Sequence, residues 1–70
     1  MSELGDAIRA ARHAKGLTLE ALGRRFGVGK AAVNAWETGT NLPDPRKLAA
    51  LAETLALDPG RLVRLAAVPA

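Results

Sequence analysis

Closely spaced helix-ending signals constrain this chain more than any other feature of its sequence. Glycine follows an apolar, helix-compatible segment at Gly16, Gly27 and Gly39, and an Asp-Pro pair stands at 44–45 and again at 58–59. Glycine is typical of the position just past a helix, whereas Asp followed by Pro is typical of an N-cap and a first helical residue. β-Branched residues are few, and no apolar residues alternate with polar ones as in a strand. The sequence therefore predicts an all-α fold of five short helices.

The length of the chain limits it to one small domain. Its 70 residues are near the lower limit at which an apolar core holds a fold without a metal or a disulfide. We therefore expect residues 1–70 to form a single domain. The chain has no cysteine, which excludes disulfides and thiolate metal sites. We expect no metal and no cofactor.

Two further features predict a cytoplasmic protein with no membrane segment. The first residues, "MSELGD", are acidic where a secretory signal would be basic. The longest uncharged stretches are well short of the roughly 18 residues that a membrane-spanning helix needs.

Apolar spacing and capping residues set the expected bounds of the helices. Thr18 offers an N-cap hydroxyl for helix two, and Asp44 and Asp58 offer N-cap carboxylates for helices four and five. Gly23 has no side chain, so we expect another helix to cross close to it. The predicted helices run from residue 2 or 3 to 15, from 18 to 26, from 29 to 37 or 38, from 45 to about 55, and from 59 onward.

The segment "GVG" between helices two and three is short enough to decide how those helices meet. Three residues cannot join two helices as a hairpin with a long contact, so the helices must cross steeply. The predicted motif, at about residues 18–38, is a helix-turn-helix.

A helical wheel of the third helix separates an apolar arc from a slim polar edge. At 100° per residue, Val33 and Trp36 fall with Ala32 on one arc, and we expect them in the core with Leu22 and Phe26 of helix two. The opposite arc carries small or uncharged residues beside one Lys and one Glu: Lys30, Ala31, Asn34, Ala35 and Glu37. A slim edge fits the DNA major groove, where Lys suits guanine, Asn suits adenine and an alanine methyl suits the thymine methyl.

Positive charge is concentrated in the first half of the chain. Between residues 9 and 34 there are six basic residues and one acid, while the chain from 35 onward has four of each. Such a bias suggests an anionic partner. A plain solvated face is the alternative for Arg9, Lys15, Arg24 and Arg25, and both interpretations remain open.

Taken together, "LTLEALGRRFGVGKAAVNAWETGTNLPDPRKLAALAETLALDP" and the preceding "IRAARHAKG" resemble the phage-repressor and Cro type helix-turn-helix family, also called the xenobiotic-response-element type. The linked features are "GL" after helix one, the "GVG" turn, "WETG", and a Pro four residues after Gly39. The resemblance implies a five-helix domain whose third helix reads the major groove. It also implies a homodimer on a two-fold-symmetric operator in double-stranded DNA.

The resemblance assigns roles to particular residues. Base-contact positions fall on Lys30, Ala31, Asn34 and Ala35, and phosphate-contact positions fall on Thr18, Leu19, Thr38, Gly39, Thr40 and Asn41. Arg12 and Glu37 stand where the family forms a structural ion pair. The chain departs from the family pattern at Leu19, where Gln is frequent, at Thr40 and Asn41, where Lys or Arg is frequent, and at Ala56, where Gly is frequent.

An enzyme is not expected, because the chain has one Ser, one His, no Cys and no phosphate-cradling glycine loop. We predict a sequence-specific DNA-binding transcriptional regulator, a repressor, that reads DNA with helix three. The alternative is a protein-interaction module of the same fold, such as an antitoxin or the dimerising part of a larger regulator. Leu19 and the apolar tail "LVRLAAVPA" favour that alternative. Leu62, Val63, Leu65 and Val68 cannot all face one small core, so some of them are candidates for a dimer contact.

Overall fold

Five α-helices and no strand make up residues 2–67, which are the residues described by the computed structural model of the chain. The all-α, five-helix prediction is therefore confirmed. The helices are α1 (Glu3–Ala14), α2 (Leu19–Arg25), α3 (Lys30–Thr38), α4 (Pro45–Thr54) and α5 (Pro59–Ala67). Each predicted bound is within one or two residues of the observed one.

Side-chain N-caps begin four of the helices, as short polar residues do when they satisfy an unpaired N–H of the first turn. Ser2 Oγ accepts a hydrogen bond from the Gly5 N–H at 2.9 Å, and Thr18 Oγ1 accepts one from the Ala21 N–H at 3.0 Å. Asp44 and Asp58 cap α4 and α5 in the same way. Helix α3 begins after Gly29 and has no side-chain cap.

Helices α1 to α4 all end in the same hydrogen-bonded motif. A residue just past each helix adopts a positive φ, and the N–H of the residue that follows it bonds to the carbonyl five residues earlier. The bonds join Leu17 to Arg12, Val28 to Gly23, Thr40 to Ala35 and Leu57 to Ala52. The residues with positive φ are Gly16 (67°), Gly27 (67°), Gly39 (83°) and Ala56 (56°). Alanine at the fourth position adopts the left-handed conformation that the family's glycine would adopt without strain.

The core is one cluster of buried side chains to which all five helices contribute. Ten apolar side chains are buried there: Leu4, Ile8, Leu22, Val33, Trp36, Leu48, Leu51, Ala52, Leu55 and Leu62. Phe26 is only partly buried, and its ring meets the Trp36 ring edge-on at a centroid distance of 6.1 Å. Edge-to-face contacts of this kind add to the stabilisation from area burial.

Two glycines allow the main chain to approach a helix closely. A Cβ on Gly23 would lie 2.6 Å from the Val28 carbonyl oxygen, so the turn into α3 packs on α2 at this point. The carbonyl oxygen of Gly29, the N-cap of α3, would lie 3.1 Å from the same Cβ, so the close approach expected at Gly23 is made by the turn and the start of α3. In α1, a Cβ on Gly5 would clash with the Glu37 carbonyl and lie 2.8 Å from the Trp36 carbonyl oxygen. Gly5 thus sets how closely α1 packs on the end of α3.

Candidate nucleic-acid interface

The outer edge of α3 is formed by small and polar side chains. Lys30, Ala31 and Asn34 are exposed, whereas Val33 and Trp36 on the opposite side are buried. The cause is packing on both flanks, since α3 lies against α1 and against α2. The exposed strip that remains contains the first three predicted base-contact positions.

Glu37 does not belong to that exposed edge. The helical wheel placed it beside Lys30 on the outer arc, but in the structure it is 6% exposed and faces α1. The Arg12 Nε donates to Glu37 Oε2 at 2.7 Å, and the Arg12 Nη2 donates to Oε1 at 3.1 Å. The Arg12 Nη1 also donates to the Leu17 carbonyl oxygen at 2.8 Å. A single arginine therefore connects α1, the segment before α2, and the end of α3.

One acidic side chain lies near the exposed edge of α3. The Glu20 Oε1 is 3.9 Å from the Lys30 Nζ, and both side chains are about two-thirds exposed (65% and 68%). An exposed pair at this distance is weak and is screened by salt. Lys30 is therefore able to leave Glu20 for a stronger anionic partner.

The loop after α3 holds the remaining predicted contact positions, but its main-chain N–H groups are already occupied. Gly39, Thr40 and Asn41 all direct their N–H groups to the Ala35 carbonyl oxygen, at 3.0 Å from Thr40 and 3.2 Å from Asn41. The Thr38 Oγ1 lies 3.3 Å from the same carbonyl oxygen and 2.9 Å from the Thr40 Oγ1. Contacts from this loop to a phosphate would have to come from the exposed side chains. Ala35 itself is only partly exposed.

The start of α2 presents one polar and one apolar side chain. The exposed Thr18 hydroxyl accepts the Ala21 N–H, which leaves its own hydrogen free to donate to an outside acceptor. Leu19 is partly buried and packs against the core. A leucine side chain cannot donate a hydrogen bond to phosphate, so the predicted contact at this position is limited to its main chain.

A shallow cleft of about 190 Å³ lies between these elements. Leu19, Asn34 and Thr38 line it, so the structure brings together three predicted DNA-contact positions from two helices. The Arg12–Glu37 pair lies along its wall, and exposed Arg9 of α1 lines it as well. Lys30 and Thr18 are not among its lining residues.

Sequence reasoning missed two residues that shape this region. Gly5 was not noticed, because its contact partner is a main-chain carbonyl more than thirty residues away, and nothing in the local pattern of α1 indicates it. Arg9 was one of four cations for which an anionic partner and a solvated face both remained open, and nothing set it apart from the other three. Its spacing of three residues before Arg12 does place both on one side of α1, and that signal was available from the sequence.

Residues 2–67 contain neither a cluster of metal-ligating side chains nor a helix able to span a membrane. No group of three or more His, Asp or Glu side chains that could hold a metal ion lies in this part of the chain. No helix there combines the length and the apolar character that a membrane crossing requires.

Comparison with protein families matched residues 3–66 to a family model described as a helix-turn-helix domain. Neither the comparison with curated proteins nor that with solved structures gave a match.

Proposed function

Because the chain belongs to the helix-turn-helix domain family, a class of domain that binds double-stranded DNA in transcription regulators, we propose that it represses transcription by reading an operator with α3. The family match covers nearly the whole chain. The proposal assigns the domain no catalytic activity. It assigns base reading to Lys30, Ala31, Asn34 and Ala35, with Lys30 and Asn34 as the hydrogen-bonding residues.

The exposed edge of α3 is the observation that carries this proposal. Lys30, Ala31 and Asn34 are open to solvent on a helix whose other side is occupied by Val33 and Trp36. None of these three exposed side chains is bulky enough to keep the edge out of a groove. A helix in the major groove needs this shape, and a Lys and an Asn separated by one helical turn can reach neighbouring base pairs.

Phosphate contacts supply the affinity that base contacts do not. The proposal places them on the side chains of Thr18, Thr38, Thr40 and Asn41 and on the main chain at Leu19. It leaves out Gly39, whose N–H is already bonded to the Ala35 carbonyl oxygen. These groups flank α3 on both sides in the chain, as positioning contacts do around a recognition helix.

Pairing of two copies would give a recognition site of useful length, since one short helix reads few base pairs. Val63 of α5 and Leu42 of the α3–α4 loop are the large apolar side chains most exposed in the described residues, at 58% and 60%. Leu62 is buried and Leu65 is partly buried; Val68 lies outside the described residues. The proposed homodimer therefore uses Val63 first among the apolar residues of α5. Sedimentation equilibrium of the wild type and of Val63→Lys tests it, and an unchanged oligomeric state would exclude this surface.

Selection of bound sequences from a random duplex pool tests the proposed function most directly. The expected product is a preferred site with two-fold symmetry. On that site Lys30→Ala and Asn34→Ala should each weaken binding by about 1 to 3 kcal/mol and relax the preference at one base position. Arg61→Ala, which removes one exposed charge from α5, is the matched control and should leave the preference intact. Equal losses on selected and on random DNA would contradict base reading.

A protein-interaction module of the same fold is the competing function, and the partly buried, apolar Leu19 favours it. Salt dependence separates the two. A dimer with about six phosphate contacts should lose affinity for DNA with a log-log slope near −5 as salt rises. Failure to bind any duplex at low salt, by a protein shown to be folded by circular dichroism, would favour the interaction module.

A further inference from the structure

Arg9 occupies a position that the role of a solubility charge does not explain. It lies on α1 one turn before Arg12, which places both on the side of α1 that faces α3. Its exposed side chain lines the same cleft as Leu19, Asn34 and Thr38. Helix α1 therefore contributes an exposed cation to a cleft that it shares with α2 and α3.

The charge of Arg9 is not balanced inside the cleft. The only carboxylate lining the cleft is that of Glu37, and Glu37 is already engaged by two nitrogens of Arg12. No ion pair of Arg9 within 4.0 Å is found among residues 2–67. The buried pair is neutral as a unit, so the cleft keeps one net positive charge, at its solvent side.

The neighbours of Arg9 define what anion the cleft would meet. Asn34 is a proposed base-contact residue, and Leu19 and Thr38 are proposed phosphate-contact positions from separate helices. A DNA strand that passes Leu19 and Thr38 presents a phosphate to this cleft. The Leu19 side chain cannot donate to that phosphate, and Arg12 is engaged by Glu37. Arg9 is therefore the cationic donor available in the cleft, and guanidinium geometry suits phosphate oxygens.

We propose, on the basis of the DNA-binding function proposed above, that Arg9 binds the DNA phosphate that flanks the base pair contacted by Asn34. Helix α1 then takes part in the interface beside the helix-turn-helix. Arg9 supplies sequence-independent affinity at the position where the leucine side chain supplies none. It reads no base.

Salt titration of duplex binding tests this assignment. The probes are the duplex selected from the random pool and a shuffled duplex of equal length. Removing one phosphate contact should reduce the magnitude of the log-log salt slope by about 0.9 per bound chain, which corresponds to about an eightfold loss of affinity per chain at about 0.1 M salt. Arg9→Ala and Arg9→Gln should both show this loss on both duplexes. Arg9→Lys should keep most of the slope, because it keeps the charge.

Two comparisons make the test specific. Arg61→Ala removes the same charge from α5, outside the cleft, and should leave the salt slope unchanged. Leu19→Gln places a donor at the neighbouring position, and it should recover part of the affinity that Arg9→Ala loses. Circular dichroism checks folding, and Arg9→Gln provides a second measurement if Arg9→Ala is poorly folded.

The outcomes distinguish this inference from the function on which it rests. If the folded wild type binds neither duplex, the proposed function fails and the role of Arg9 fails with it. If the wild type binds and Arg9→Ala matches Arg61→Ala in affinity and slope, only the role of Arg9 is wrong. A loss confined to the selected duplex would show that Arg9 reads a base, which also overturns the phosphate assignment.

Discussion

Removing either partner of the buried Arg12–Glu37 pair should cost more stability than removing both. The side chains are 9% and 5% exposed, and two hydrogen bonds of 2.7 and 3.1 Å join them. Arg12→Met would leave a buried carboxylate without its donors and the Leu17 carbonyl without a side-chain partner. Glu37→Leu would leave a buried guanidinium. Each single change should lower the free energy of unfolding by about 3 to 5 kcal/mol.

The double variant, Arg12→Met with Glu37→Leu, removes both charges. Its remaining cost is the lost hydrogen bond to the Leu17 carbonyl oxygen, now 2.8 Å from the Arg12 Nη1, which is about 1 to 3 kcal/mol. Added apolar burial offsets part of this cost. The coupling energy in the thermodynamic cycle should therefore be at least about 3 kcal/mol.

Urea unfolding measures this cycle, with fluorescence of Trp36, the only tryptophan, and circular dichroism as two probes. A 70-residue domain has about 4 to 10 kcal/mol of total stability, so either single variant should lose a large part of it and be close to unfolded at the lower end of that range. The double variant should recover most of the loss, with a cooperative transition. The exposed Lys30–Glu20 pair, at 3.9 Å, is the matched control, and Lys30→Met with Glu20→Leu should show coupling near zero. Additive losses at Arg12 and Glu37 would refute the reasoning.

Three further predictions concern backbone strain, close packing and capping. Ala56→Gly should raise the unfolding free energy by about 0.5 to 1 kcal/mol, because Ala56 has φ +56°. The control Ala49→Gly, in the exposed middle of α4, should lower the unfolding free energy by about 1 kcal/mol. Thermal melts of both variants check the opposite signs. Gly5→Ala should destabilise the fold by about 1 to 3 kcal/mol in urea unfolding, because the new Cβ at position 5 would clash with the main chain at the end of α3. A stability equal to that of the wild type would mean that α1 and α3 are free to separate at this contact. The hydrogen bond from the Lys47 backbone N–H holds the pKa of the Asp44 carboxyl below its ordinary value of 3.8. The stabilisation of α4 by the ionised carboxyl is therefore present above that value and is lost as pH falls through the lowered pKa. Urea midpoints measured against pH should fall more for the wild type than for Asp44→Asn, and parallel curves would contradict the assignment.

The outline of the fold follows from residues whose effects are local. Thr18, Asp44 and Asp58 cap helices because their oxygens reach N–H groups three residues away, and Gly16 and Gly27 end helices through their own φ. Such short-range signals depend on neighbours in the chain. They therefore predicted the helix bounds to within one or two residues.

Predictions about side chains that face other helices were less complete. The wheel of α3 separates Trp36 from Asn34 correctly, since that division depends only on helical period. It could not tell that Glu37 is buried, because the flank of α3 on which α1 packs is not visible in the period. The family resemblance did pair Glu37 with Arg12. That pairing came from the family's known arrangement of helices and not from the residues of α3 alone.

By itself, the sequence determined the number of helices, the caps and breaks between them, the steep α2–α3 connection and the polar strip on α3, because each depends on residues within a few positions of one another. Only the tertiary structure decided which flank of α3 is closed by α1, how Gly5 sets that contact, and that Arg9 lies beside Asn34 in one cleft. Those features depend on how α1 packs against α3. The packing in turn depends on the shapes of side chains far apart in the chain, which no local pattern encodes.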